Sequence, residues 1–276
     1  MSSSEAPISR GGRDKPLAMS DRLYRLCKDV NHRLHARPAH RRHVFVAGVQ
    51  RSGTNLLMQV LDRVWDTDVY HETDPRAFDR YEMRPQPVID ALIDRSRAPV
   101  FVIKSLCELQ DLDGLMKRHP PAQTLWMLRG YEDVARSMLA SFGNFVRQAH
   151  RLAENRESAD WRGRGMSDAT QTVLREAVAN GLDEASAAAL MWYYRNVLFF
   201  EQGFAVNSDV RVVRYEALLA EPRLECGRIA DFLGLPLSPK AVAAISPGSG
   251  RPAGDLPISP LVRRYCDDLM RRFEAL

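Results

Sequence analysis

The chain is 276 residues long, 45% hydrophobic and 27% charged, with a net charge of +4. That composition excludes a collagen-like, low-complexity or wholly disordered chain, and fits one large domain or two small ones. The basic excess is too slight for a dedicated nucleic-acid binder, and no apolar run nears the roughly 18 residues that cross a bilayer. Neither a nucleic-acid partner nor an integral membrane segment is expected.

Residues 1–42 form a basic extension. Its first 16 residues hold Ser, Gly, Pro and charge with almost nothing to bury, so disorder is expected there. Leu23, Leu26, Val30 and Leu34 then recur at helical spacing, which predicts a helix over residues 21–37. The polar, Ser-rich start lacks the apolar core of a secretory signal, from which a cytoplasmic location is expected. Cys27, Cys107, Cys226 and Cys266 are scattered without metal-ligand spacing. Reduced, mostly buried thiols are expected, with no metal site and no disulfide framework.

The run HVFVAG (43–48) is short, apolar and β-branched, and reads as a buried strand. Leu56, Leu57, Val60, Leu61 and Val64 share one face of a helix over residues 55–65. Strands are predicted at 100–104 (VFVIK), 123–128 (QTLWML) and 210–215 (VRVVRY). A short strand is implied before the polar stretch that starts at Val69. Helices are predicted at 111–119, 131–142, 186–204 and 222–233, with a last one near the C-terminus. Strands alternating with helices give βαβ units, hence an α/β domain over residues 43–276 with a parallel sheet flanked by helices. Residues 147–185 are polar and Gly-containing, and read as an insertion over the edge or mouth of the sheet that can serve as a lid. Residues 246–255 read as a Gly/Pro-rich loop.

Chemistry concentrates first at Gly48-Val-Gln-Arg51-Ser52-Gly53-Thr54-Asn55, between a strand and a helix. A turn in that setting aims backbone N–H groups and the positive end of a helix dipole at one point. Gly53 permits close approach of an anion, and Arg51, Ser52 and Thr54 add donors. The spacing resembles a nucleotide-triphosphate P-loop. However, Thr54 stands where that loop has its Lys, and Asn55 where it has its magnesium-binding hydroxyl, so the anion cradle is kept without the metal-dependent parts. Farther on, Arg129 ends a predicted strand, where α/β sheets bind ligands, and Ser137 follows two helical turns later. An Arg with a hydroxyl suits a dianionic phosphate.

These segments carry a family resemblance. QRSGTNLL resembles the 5′-phosphosulfate loop of sulfotransferases that use 3′-phosphoadenosine 5′-phosphosulfate (PAPS). QTLWMLRGYEDVARSML is similar to the strand–Arg–helix–Ser unit that binds the 3′-phosphate in that family, and VRVVRYEALLAEPRLECGRIADFLGL to its strand–Tyr–Glu segment. Order and spacing agree over residues 43–235. The resemblance implies a P-loop-like sulfotransferase fold, PAPS as donor, no metal, and a small-molecule or glycan acceptor offering a hydroxyl or an amine. It assigns Arg51, Ser52, Gly53, Thr54, Asn55, Arg129, Ser137 and Tyr215 to the donor, Tyr215 towards adenine.

The chain departs from the family pattern in three places. Where many members carry Lys-Thr-His, with the His as base, this chain reads Lys104-Ser105-Leu106. Leu56 replaces the aromatic that stacks on adenine. The C-terminal glycine motif is echoed only at Gly248-Ser249-Gly250-Arg251, which makes Arg251 a candidate donor contact. The chain is therefore expected to be a divergent member. Lys104 is the candidate cation on the transferring group. Glu72 is the first candidate base, His71 the second and Glu108 a third. Two other readings stay open: a non-catalytic module that binds adenosine bisphosphate, and a P-loop nucleotide kinase.

Overall fold

In the computed structural model the described residues are 19–34, 41–157, 160–245 and 255–276. The expectations for residues 1–16, for the loop at 246–254 and for Arg251 lie outside them.

Helix α1 (Met19–Leu34) precedes the first strand, β1 (Arg42–Gly48). Then come α2 (Thr54–Asp62), β2 (Thr67–Tyr70), a two-residue-stranded hairpin of β3 (Phe78–Asp79) and β4 (Glu82–Met83), and α3 (Gln86–Arg95). Strand β5 (Val100–Ser105) leads through a 3-10 turn to α4 (Leu112–Arg118), β6 (Ala122–Leu128) and α5 (Tyr131–Leu139). Helices α6 (Phe145–Glu154), α7 (Asp168–Ala179) and α8 (Glu184–Glu201) follow. The chain closes with β7 (Val210–Arg214), α9 (Tyr215–Ala220), α10 (Pro222–Leu233), α11 (Pro239–Val242) and α12 (Pro260–Glu274).

The main sheet has the order β2-β5-β1-β6-β7, and each adjacent pair is parallel. Its strands are apolar on both faces because helices cover both. Phe45 and Ala47 of β1, Phe101 and Ile103 of β5, and Trp126 and Leu128 of β6 feed one core, together with α3, α4, α5, α8 and α12. The alternate residues Val44, Val46, Val100, Val102, Leu125 and Met127 feed a second core under α2 and α10. This period of two also sends Lys104, which shares parity with Val100 and Val102, towards the α2 side.

The chain visits β2 and β5 on one side of β1, then β6 and β7 on the other. The crevice at the carboxyl end of β1 is thus the switch point where open α/β sheets bind ligands. Gly48 is needed for that closeness: its φ is +140°, and a Cβ there would stand 2.5 Å from the Met127 carbonyl oxygen.

Residues 147–185, read as a polar insertion with the character of a lid, are helical over most of their length, and α6 and α7 pack against each other. Leu152, Ala153, Trp161, Met166, Leu174 and Ala177 join the larger core, so the segment is built into the domain by its apolar side. Gly163 and Gly165 sit so close to Arg156 O and the Gln110 side chain that a Cβ would collide at 2.1 and 2.3 Å. Of the cysteines, Cys107, Cys226 and Cys266 are buried and Cys27 is exposed, all as free thiols. Among the described residues no helix is long and apolar enough to cross a membrane.

Candidate active site

The loop after β1 turns sharply. Arg51 has φ +70°, the Ser52 N–H donates to Val49 O at 3.1 Å, and Gly53 caps α2 with φ +99°. No described side chain caps the helix, and no acidic residue lies in its first turn. Its N-terminal N–H groups and dipole therefore stand ready for an anion. Thr54 is buried, and the hydroxyl of Ser52 is fully buried with no hydrogen-bond partner among the described residues. A buried donor left unpaired is costly, and a bound oxyanion would relieve it. Gly53 is required for a second reason: a Cβ would lie 2.3 Å from a ring carbon of Tyr215.

Arg129, just past β6, comes to the same place. Its guanidinium carbon lies 4.6 Å above the Tyr215 ring. Its Nη1 donates to Arg51 O at 3.4 Å, and its Nη2 pairs with Asp133 at 3.2 Å. Arg51 reaches across to α5, where its Nε donates to Ser137 Oγ at 2.9 Å. Arg51, Gly53, Arg129, Ser137 and Tyr215, scattered over 165 positions from first to last, thus form one cluster at the switch point.

The third group lies at the end of β5. Lys104 is 1% exposed. Its ammonium pairs with Glu72 at 2.6 Å and donates to Asn55 Oδ1 in the first turn of α2. The loop after β1 lacks a lysine of its own, but β5 delivers one to its flank. Glu72, in the turn after β2, is thereby held beside the loop. His71 begins the same turn, its carbonyl accepting from the Asp74 N–H at 2.8 Å. Glu108 lies elsewhere: its Oε1 accepts from the Met83 N–H at 2.7 Å, which ties it to the β3–β4 hairpin, and its Oε2 is buried. Burial pushes its carboxyl pKa up to about 7, against the opposing pull of the Met83 N–H.

Several supports were not anticipated. The Trp192 indole N–H on α8 donates to Arg129 O at 2.9 Å. The Glu216 carboxylate accepts from the Gly130 N–H at 3.0 Å. Together they fix the turn that presents Arg129. Arg195, fully buried, donates to the carbonyls of Leu106, Cys107 and Trp161 and to Gln110, holding the loop that follows Lys104; burial lowers its guanidinium pKa to about 10. The Ser105 hydroxyl at the end of β5 is buried and without a partner among the described residues. The clustered aromatics of α8 were the signal available for Trp192. The strand–Tyr–Glu resemblance covers Glu216 but gives it no partner, and nothing in the sequence marks Arg195.

Comparison with known proteins points one way. A family model described as the sulfotransferase domain matches residues 41–247. The sulfotransferase domain from the Synechococcus PCC 7002 olefin synthase is similar in fold, with a TM-score of 0.54 at 15% identity over 87% of this chain and 98% of that one. The sulfotransferase domain from the curacin biosynthetic pathway is similar with a TM-score of 0.50 at 13% identity, over 85% of this chain and 99% of that one. No curated protein matches the chain.

Proposed function

Since the chain belongs to the sulfotransferase domain family, we propose that it transfers a sulfuryl group from PAPS to a hydroxyl or amine of a small-molecule or glycan acceptor, without a metal. The observation that carries this reading is the uncapped N-terminus of α2, with the unpartnered Ser52 hydroxyl beside it and two arginines converging on the same point. Such a place fits a phosphosulfate at the helix N-terminus and a second phosphate between Arg129 and Ser137.

The donor supplies an activated sulfuryl group, and the chain's residues orient it and handle charge and proton. Loop N–H groups, Ser52 and Thr54 hold the anionic oxygens. Arg51 offsets the negative charge that grows on the 5′-phosphate as its bond to sulfur breaks. Arg129 and Ser137 anchor the 3′-phosphate, and Tyr215 keeps the Arg129 guanidinium over the loop. Glu72, held by Lys104, takes the proton of the acceptor as its oxygen or nitrogen bonds to sulfur. Lys104 stands between Glu72 and Asn55 and supplies the cation beside the transferring group. His71 is the second candidate for the proton, and Arg251 a further donor contact.

The test is a thermal-shift measurement without added metal. Adenosine 3′,5′-bisphosphate is expected to raise the melting temperature clearly more than AMP, because only the former engages Arg129 and Ser137. In Arg129→Ala the two shifts should become alike. Equal shifts in the wild type would remove the 3′-phosphate site. Labelled PAPS offered with a metabolite extract then separates an enzyme from a binding module, with Glu72→Gln expected to lower sulfated product on the order of a hundredfold while the bisphosphate shift persists.

A further inference from the structure

Helix α1 is mounted with its polar side inward. The Tyr24 hydroxyl donates to Arg63 O at 3.0 Å, Lys28 donates to Asp62 O and Thr67 Oγ1, each at 2.9 Å, and His32 Nε2 lies 2.9 Å from Trp65 O. These residues recur every four positions, so they make one stripe. The opposite stripe is Leu23, Leu26, Val30 and Leu34, which are 61, 59, 45 and 79% exposed. A domain helix normally buries its apolar stripe. Four adjoining aliphatic side chains facing water mark a docking surface.

The charge around that stripe identifies its occupant. Residues 1–42 carry ten Lys and Arg against four Asp and Glu, whereas the whole chain is only +4, so the remainder is net acidic. Exposed Arg33 flanks the stripe, and exposed Arg97 joins it there, donating to Arg33 O at 2.8 Å. Trp65, 38% exposed, lies beside α1 edge-on to Tyr24. Aliphatic side chains on one face, arginines at its flank and a half-exposed indole suit the boundary between acyl chains and anionic headgroups.

We propose that α1 docks the protein on an anionic lipid surface, its Leu23–Leu26–Val30–Leu34 face set into the headgroup boundary and the basic extension on the phosphates. Pairing with the same face of a second copy would instead bring two strongly basic segments together. Residues 1–18 offer Ile8 and Leu17 as their only large aliphatics besides Met1. Helix α1 rests on Asp62, Arg63 and Thr67, at the end of α2 and the start of β2. That is the end of the sheet opposite the crevice, so docking leaves the site mouth facing water.

Sedimentation of the full chain with lipid vesicles tests this. Vesicles of phosphatidylcholine with roughly one-third phosphatidylglycerol should bind it at least about tenfold better than phosphatidylcholine alone, and high salt should erase the difference. Leu26→Glu combined with Val30→Glu should abolish binding, while the shift induced by adenosine 3′,5′-bisphosphate stays intact and reports a folded domain. Wild-type protein left in the supernatant with anionic vesicles, or a double variant that binds as well as wild type, would overturn the proposal. So would a concentration-dependent dimer that the double variant dissolves in the absence of any vesicle binding, which would make the face an interface between copies.

Discussion

Arg129 shows how one side chain is shared among competing partners. Its guanidinium rests on the Tyr215 ring and pairs with Asp133 at 3.2 Å. A 3′-phosphate bound at Arg129 as proposed would compete with that carboxylate and meet its negative charge. Asp133→Asn is therefore expected to tighten binding of adenosine 3′,5′-bisphosphate roughly threefold to tenfold at low salt, with AMP little affected; calorimetric titration of both ligands reads this, and an unchanged or weakened bisphosphate affinity would place the phosphate away from Arg129. Glu108 presents a different residue-scale effect. Its carboxyl pKa is raised by burial from 4.5 to about 7. Below about pH 4.5 both folded and unfolded chains hold this proton. As pH rises from there to about 7, the unfolded chain loses the proton while the folded chain keeps it, so stability falls through that window and levels off above it. Glu108→Gln keeps an acceptor for the Met83 N–H and removes the titration. It should be more stable than wild type at pH 8 by on the order of 2 kcal/mol, with a flatter profile between about pH 4.5 and 7, as read by denaturant unfolding. A profile unchanged by the substitution would mean that Glu108 is solvated.

At the scale of elements, the site is a set of chain ends held by helix α8. Trp126 of β6 donates to Asn196 at 3.1 Å, and Asn196 donates to Trp192 O at 3.0 Å. The Trp192 indole in turn donates to Arg129 O, so a chain of hydrogen bonds runs from the sheet to the turn that carries Arg129. Trp192→Phe should cost about 1–2 kcal/mol of stability and weaken bisphosphate binding several-fold, leaving AMP binding unchanged. Loss of stability with intact bisphosphate affinity would show that Trp192 only packs. The strands β1, β5, β6 and β7 and the helices α2, α5, α8 and α10 were legible from sequence within a few residues, because each carries a sustained apolar run or a clear helical period. The β3–β4 hairpin was not, since two-residue strands are shorter than any period. Helices α6 and α7 were also missed. Their buried residues, Phe145, Ala149, Leu152 and Ala153 in α6, keep helical spacing, but two of those four are alanines amid dense charge.

For the whole molecule, the three cations proposed to serve the crevice come from separate elements: Arg51 from the loop, Lys104 from β5 and Arg129 from the end of β6. A triphosphate P-loop instead concentrates a lysine and a metal-binding hydroxyl in one loop, and here those positions are Thr54 and Asn55. Sulfuryl transfer is expected to survive EDTA, and ATP should not be hydrolysed at any magnesium concentration. Magnesium-dependent release of phosphate from ATP, lost in Arg51→Ala, would favour a phosphoryl-transfer enzyme instead. Turnover of labelled PAPS with and without chelator, alongside a phosphate assay, measures both.

The sequence by itself determined the alternation of strands and helices and the tight glycine turn between β1 and α2. It also singled out Arg129 and Ser137, because these depend on local spacing: a strand, a tight turn and a helix follow one another within a few residues. Tertiary structure alone decided which side chains meet. Glu72, Asn55 and Lys104 come from a turn, a helix and a strand, and they touch only because β5 lies between β2 and β1 in the sheet. The orientation of α1 was likewise hidden. Its helical period was plain, but periodicity gives a helix an apolar side without saying which side the body takes. Here the buried contacts of Lys28 with Asp62 and Thr67 turned the polar side inward. Burial, which raises the Glu108 pKa and leaves the Ser52 hydroxyl without a partner among the described residues, is a property of distant chain segments closing over a residue.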